Sequence, residues 1–414
     1  MDKPEKTIYI IGGGISGMIA AIALTKQGYS PQIIEASDRL GGRVKTDIVD
    51  GYQLDHGFQV LLTAYPAVAK YLNVENLDLQ KFWPGAEIFF DGKKTRIGDP
   101  TRNLKLLLPT VFSSVGSLGD KFKILKLNIW LKKKPLPEIF EIEETSTLTF
   151  LKNYGFSNTI IDRFFKPFFS GIFLEPDLAT SNRMFLFVYK MFGEGFAALP
   201  KSGIEAISQQ LATKINSENI KLKAEVASID GNTISLKDGS TLESDYTIIA
   251  CDPSKLVSSF KGPSIQWKSC DNLYFETDEF LRDPLIGLIA DENALINNIF
   301  FHNTLKTQST GSKNLLSVTV VKDHQLTEGD LVAKVVDDLK QFCKIDHVRF
   351  VKHYQIKKAL PDLDNLQNDL EPLEAQLTEN TFIAGDHVLN GSLHAAMVSG
   401  EKAALAVVNV IKAN

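Results

Sequence analysis

Gly12, Gly14 and Gly17 stand in a GxGxxG spacing within IIGGGISG, and Glu35 follows in QIIEAS. The first glycine permits a tight turn, the second lets backbone approach a pyrophosphate, and the third lets a helix pack on a strand. A diphosphate then sits at the helix N-terminus, beside Ile15 and Ser16, where unpaired amides and a partial positive charge favour it. Glu35, with Ala36 after it, ends a second apolar run, where a carboxylate accepts the ribose hydroxyls of an adenosine and repels a 2′-phosphate. This pattern admits both NAD and FAD. DRLGGRVKT, residues 38–46, narrows the choice. Gly41 and Gly42 let backbone approach a bulky cofactor, and Arg43 offers a fixed cation to its phosphates.

These residues work only if local structure brings them together. Residues 7–11 (TIYII) read as a short buried strand, 16–28 as an apolar helix closed by Gly28, and 32–35 as a second strand. Strand, helix and strand within about 30 residues make a βαβ unit with parallel strands, the start of an open α/β sheet. Ser202 and Glu205 have capping-box spacing before a helix with Ile204, Ile207, Leu211 and Ile215 on one face. Leu222, Ala224 and Val226 alternate into a meander with turns at Asp230-Gly231 and Asp238-Gly239, followed by a core strand at 247–250. TFIAGD and a long apolar helix over 392–411 complete the pattern.

The chain has 414 residues, 44% hydrophobic and 23% charged. At about 150 residues per unit, it predicts two or three folded units. A net charge of −5 supplies no field for a phosphate backbone, so nucleic acid is not expected as a partner. Cys251, Cys270 and Cys343 are too scattered for a disulfide framework or a zinc site, which fits a reducing cytoplasm. The N-terminal segment lacks the form of a signal peptide, and no apolar run approaches the ~18 to 20 residues of a membrane span.

The GxGxxG, the acidic residue and the GGR together resemble the superfamily of flavin-dependent amine oxidases, protoporphyrinogen oxidases and carotenoid desaturases. DHGFQVLLTAYP (55–66), FFKPFFSGIFLEPDLATS (164–181) and ALPKSGIEAISQQLA resemble its desaturase-like branch. The resemblance implies a Rossmann-like FAD-binding domain of the glutathione-reductase type, formed by 1–80, 200–265 and 375–414. It also implies a second, inserted α+β substrate domain formed by 81–199 and 266–374. By the same resemblance Gly385-Asp386 binds the ribitol of FAD, the helix from about Leu393 and His394 faces the flavin, and the Val226 backbone contacts the adenine. Ser37 replaces an arginine that many members carry beside the adenosine. Ser392 is the nearest match to the tyrosine that monoamine oxidases use as half of an aromatic cage. No cysteine lies near the tail, which excludes a cysteinyl-flavin bond and implies non-covalent FAD.

Eleven phenylalanines fall within 147–199. About two in three are expected in the core and the rest along an elongated apolar cavity for the substrate. Residues 119–134 hold six lysines among apolar side chains, which suits either a solvated helix or a peripheral contact with anionic membrane. Of seven histidines, His56 and His394 lie near cofactor motifs and are the candidates for catalysis beside the flavin itself; no metal site is indicated. The resulting expectation is an FAD-dependent oxidoreductase that removes hydride from an apolar, isoprenoid- or tetrapyrrole-like substrate to form a double bond. Oxygen or a quinone then takes the electrons. Two alternatives stay open: an oxidase of primary amines or polyamines, and a flavin-less binding protein of the same fold.

Overall fold

The computed structural model describes residues 6–257 and 264–413. Residues 1–5, part of the segment read against a signal peptide, and 258–263, within the expected 200–265 piece, lie outside the described residues. Ile8–Ile11 (β1), Gln32–Ile34 (β2), Ile220–Lys221 (β3), Tyr246–Ile249 (β4) and Thr381–Ile383 (β5) form a wholly parallel sheet in the order β3-β2-β1-β4-β5. Side chains alternate across such strands. Ile8, Ile10, Ile33 and Ile248 therefore join the large core that includes the fingerprint helix, Ile15–Lys26, and the tail helix, Leu393–Ala413. Tyr9, Ile11, Ile34 and Ile249 pack the other way, against the meander Val226–Asp230, Thr233–Leu236 and Thr241–Glu243. Covering both faces is what a parallel sheet requires.

The second domain is built on a seven-stranded sheet. Its order is Val348–Asp362, Gln266–Thr277, Asn314–Val320, Ile296–Phe301, Ile286–Ile289, Gly85–Phe90 and Lys93–Gly98. Every pairing is antiparallel except that of Ile286–Ile289 with Gly85–Phe90, which stitches two distant stretches of chain into one sheet. One face buries Phe89, Leu273, Phe275 and Ile299 against Leu331, Val335 and Leu339 of the Glu328–Asp338 helix and its extension. On the other side Ile88, Leu288 and Phe300 join the large core, which also holds the phenylalanine-rich helices. No helix among the described residues is long and apolar enough to cross a membrane.

Two local expectations fail. The Ser202–Glu205 capping box does not form, because the Glu205 carboxylate accepts from the Thr46 amide at 2.8 Å and pairs with Arg39 at 3.4 Å. The alternation fails at its first member: Ala224 and Val226 are buried, but Leu222 is 39% exposed, and Lys223 takes a left-handed φ of 54° that breaks the run. Ile220–Lys221 has already joined the parallel sheet, so the chain must turn before the meander starts.

Candidate active site

The fingerprint turn is fixed by close packing. Gly12 adopts φ 107°, and a Cβ there would lie 2.9 Å from the Ala250 carbonyl oxygen. Gly17 sits behind the turn, where a Cβ would run into the carbonyl oxygen of Gly12. Gly14 caps the fingerprint helix without any side-chain hydrogen bond, so the first amides stay open to an anion. The second glycine loop closes on the first: the Gly41 amide donates to Gly13 O at 2.9 Å, and a Cβ on Gly42 would stand 3.1 Å from Gly14 Cα. Glu35 is held at the rim of this cradle by amides of Gly13 (2.6 Å) and Ser37 (2.8 Å). Those bonds leave lone pairs on both oxygens for ribose hydroxyls.

The tail closes the same cleft. Arg43 pairs with Asp386 at 2.5 Å, donates to Ala359 O at 3.0 Å and lies 5.3 Å from the Trp267 ring. The expected phosphate cation and the expected ribitol acceptor thus meet across 343 residues of sequence. Gly385 must be glycine, since a Cβ there would overlap the His387 ring. Trp267 Nε1 and His387 Nε2 are buried without a partner among the described residues, and both residues border the cavity. The backbone cradle, the free carboxylate lone pairs and these orphaned polar atoms fit a flavin dinucleotide.

One cavity of about 1,700 Å³ runs from this cleft into the second domain. Single ligand pockets are typically ~300 to 1,000 Å³, so it has room for a dinucleotide and a second molecule. Gly12, Gly14, Ile15, Ser16, Glu35, Ala36, Gly41, Gly42, Arg43, Val226, Gly385, Asp386 and Leu393 all border it. His394 does not, contrary to expectation. It is buried, stacked on Tyr65 at 5.8 Å and near Phe187, and its Nδ1 accepts from the Ala67 amide at 3.3 Å. The register of the tail helix points Leu393 and Ala396 at the cavity and turns His394 into the core, where burial lowers its pKa to about 4. Ser392 hydroxyl accepts from the Ala395 amide at 3.0 Å, so the position matching an amine-cage tyrosine serves as a helix cap.

The phenylalanines divide. Phe156, Phe165, Phe169, Phe173, Phe185 and Phe187 are buried, while Phe164, Phe168, Phe192 and Phe196 line the cavity. A wide π turn over Ile161–Phe165 leads into the helix Lys166–Phe173, so one ring of each Phe-Phe pair points inward and the other to the cavity. Phe164 stacks on Phe168 at 5.6 Å, and Phe168 meets Phe192 at 5.3 Å.

Near the cofactor cleft His56 does face the cavity. Its Nε2 lies 2.8 Å from Asp47, its ring centroid 4.5 Å from Tyr354, and the Tyr354 hydroxyl donates to the same carboxylate at 2.9 Å. Burial favours protonation of Asp47, but bonds from Arg39, His56 and Tyr354 outweigh it and hold the carboxyl at about 2. Asp47 and Asp55 sit on paired strands, yet no group of residues among those described could hold a metal. Tyr354 and its neighbours on Val348–Asp362 have no signal in the sequence, because that long strand lacks clean alternation.

Asp55 is buried, and burial pushes its carboxyl up to about 6 despite bonds from Thr46 Oγ1 (2.6 Å) and the Ile204 amide (3.0 Å). The fold holds this proton more tightly than the unfolded chain does. Its contribution to stability is therefore present below pH ~4 and lost as pH rises toward ~6. Asp55→Asn keeps an acceptor for both donors and is expected to raise the melting temperature at pH 8 by about 2 to 4 °C, with no gain at pH 4. A lower melting temperature at pH 8 would show that the charged form is needed.

Sheet, cleft and apolar annex together define a flavin-dependent oxidoreductase. The chain belongs to the family of flavin containing amine oxidoreductases, which matches residues 15–408. It is 23% identical to protoporphyrinogen oxidase 2 of Arabidopsis thaliana, over 98% of this chain and 94% of that protein. Its identity to the 1-hydroxycarotenoid 3,4-desaturase of Flavobacterium sp. (strain P99-3) is 26%, over 51% and 49%. The fold matches putrescine oxidase bound to putrescine with a TM-score of 0.70 at 17% identity, over 98% of this chain and 99% of that one.

Proposed function

We propose that the chain holds FAD without a covalent bond and dehydrogenates an apolar substrate of isoprenoid or tetrapyrrole type, with oxygen or a quinone as the final acceptor. The observation that carries this reading is the phenylalanine-walled annex continuous with the dinucleotide cleft. Burying an apolar chain there gains about 25 cal/mol per Å², enough to hold a ligand with few polar contacts. In this reading 1–80, 200–265 and 375–414 hold the cofactor and 81–199 and 266–374 the substrate, a division the two sheets support. Burial pushes the thiols of Cys251 and Cys270, both on the cavity wall, up to about 12, so neither is a ready nucleophile toward a flavin.

Hydride acceptance is the chemistry a bound flavin supplies. The chain positions the substrate between aromatic walls and keeps water from it. Ser392 and Leu393 border the cavity, which brings the partial positive charge of the tail helix's first turn to that wall. Asp47 holds His56 through Nε2, leaving Nδ1 to accept the proton lost from the neighbouring carbon. Under anaerobic conditions, carotenoid and tetrapyrrole precursors are expected to bleach the flavin band, whereas primary amines and polyamines are not. Acid precipitation should leave the yellow colour in solution. Rapid bleaching by a simple amine alone would favour the amine oxidase, and colourless protein the flavin-less alternative.

A further inference from the structure

We propose that the helix Leu118–Lys133 and the segment just before it form a docking surface for an anionic lipid membrane, at the outer mouth of the apolar cavity. The helix starts from a full capping box, with Ser117 and Asp120 each bonding the other's backbone amide. A surface helix normally has one apolar face, turned to the core. Here Asp120, Leu127 and Leu131 are buried and Ile124 packs beside them, which uses that face.

A second apolar stripe lies on the opposite side. Leu118, Phe122, Leu125 and Ile129 follow at i, i+4, i+7 and i+11 and are 69%, 68%, 44% and 50% exposed. The preceding residues extend it: Leu104, Leu108 and Phe112 are 79%, 66% and 81% exposed. The Lys121 ammonium ties the two pieces together through the carbonyls of Val111 (3.1 Å) and Ser113 (2.8 Å). Soluble surfaces rarely expose so many large apolar side chains side by side.

Charge selects the partner. Helical spacing puts Lys126 and Lys133 along one edge of the stripe and Lys121 and Lys132 along the other. Lys126, Lys132 and Lys133 are exposed and form no ion pair among the described residues. The helix has one acid, Asp120, and it is buried. An apolar strip edged on both sides by lysines fits acyl chains below and anionic headgroups above. A second copy of this chain would bring lysine against lysine.

The surface also meets the cavity. Val111, Leu118, Lys121 and Leu125 line it from within while belonging to the exposed patch. An apolar molecule dissolved in the membrane would thus enter without crossing water. This delivery role rests on the apolar-substrate reading; docking itself does not.

The test is sedimentation of the flavin-loaded full chain with vesicles of phosphatidylcholine containing a quarter phosphatidylglycerol. Binding is expected to weaken about a hundredfold on phosphatidylcholine alone, since three lysines near an anionic surface each contribute roughly fivefold. Phe122→Ser with Ile129→Ser, at positions outside the cavity wall, should abolish binding while flavin content and melting temperature stay as in the wild type. Wild-type protein left in the supernatant, or the double variant binding as the wild type does, would overturn the proposal. So would a lipid-free dimer that the double variant converts to monomer. Vesicle binding by a protein whose flavin is bleached only by amines would keep the docking surface and remove the apolar substrate.

Discussion

Gly17→Ala is expected to yield protein almost free of flavin. The added Cβ must enter space held by the Gly12 carbonyl oxygen and would lie 3.2 Å from the Ala250 side chain. Neither neighbour can yield easily. The Gly12 carbonyl belongs to a turn already fixed at φ 107°, and Ala250 follows the core strand β4. Overpacking of this kind costs about 3 kcal/mol, and any relaxation lifts the fingerprint helix off β1 and opens the diphosphate cradle. Flavin affinity should fall about a hundredfold, at ~1.4 kcal/mol per tenfold. The measurements are the ratio of flavin absorbance to protein after gel filtration and the dissociation constant from quenching titration. A wild-type ratio would mean that the cofactor does not use this turn.

The second large effect is expected at Gly400, in the middle of the tail helix. A Cβ there would overlap the Ser16 carbonyl of the fingerprint helix. The two helices cross at this backbone-to-backbone contact, and the preceding residue, Ser399, accepts from the Gly385 amide through its hydroxyl at 3.0 Å. Gly400→Val should therefore push the tail helix outward, carry Gly385-Asp386 with it and separate Asp386 from Arg43. A loss of about 3 kcal/mol or more in stability is expected, with flavin lost well before the chain unfolds on heating. Thermal melts followed by flavin fluorescence and by circular dichroism should separate in the variant and coincide in the wild type. Coincident transitions at the wild-type temperature would show that this crossing does not hold the cleft.

The part of the fold that could be read from sequence is the part whose causes are local. Strand, glycine turn and helix follow one another within residues 8–34, so their spacing alone specifies the cradle, and TFIAGD repeats the strand-to-turn signal at the tail. What could not be read depends on distant partners. Glu205 has the spacing of a capping residue, but Thr46 and Arg39 compete for its carboxylate from 159 and 166 positions away. His394 sits beside a flavin motif, yet whether it faces cofactor or core depends on the rotation of the tail helix, which Gly400 and Ser16 set. The Asp47, His56 and Tyr354 cluster needs a residue 307 positions downstream of Asp47, on a strand that joins the sheet by pairing with the distant Gln266–Thr277. The phenylalanine-rich stretch was legible as both core and cavity wall, and the π turn decides which ring takes which role.

The parallel sheet also has an order of birth. β1 and β2 leave the ribosome well before β5 and the tail helix do. At ~5 to 20 residues per second, about 20 to 70 s separate β2 from β5. During that interval the nascent chain has its diphosphate turn but lacks the strand that flanks β4, the Asp386 carboxylate and the helix that covers Ser16. Until then the side of the fingerprint helix that the tail helix covers stays bare, and a ribosome stalled before residue 381 would hold a chain that chaperones recognise and flavin does not.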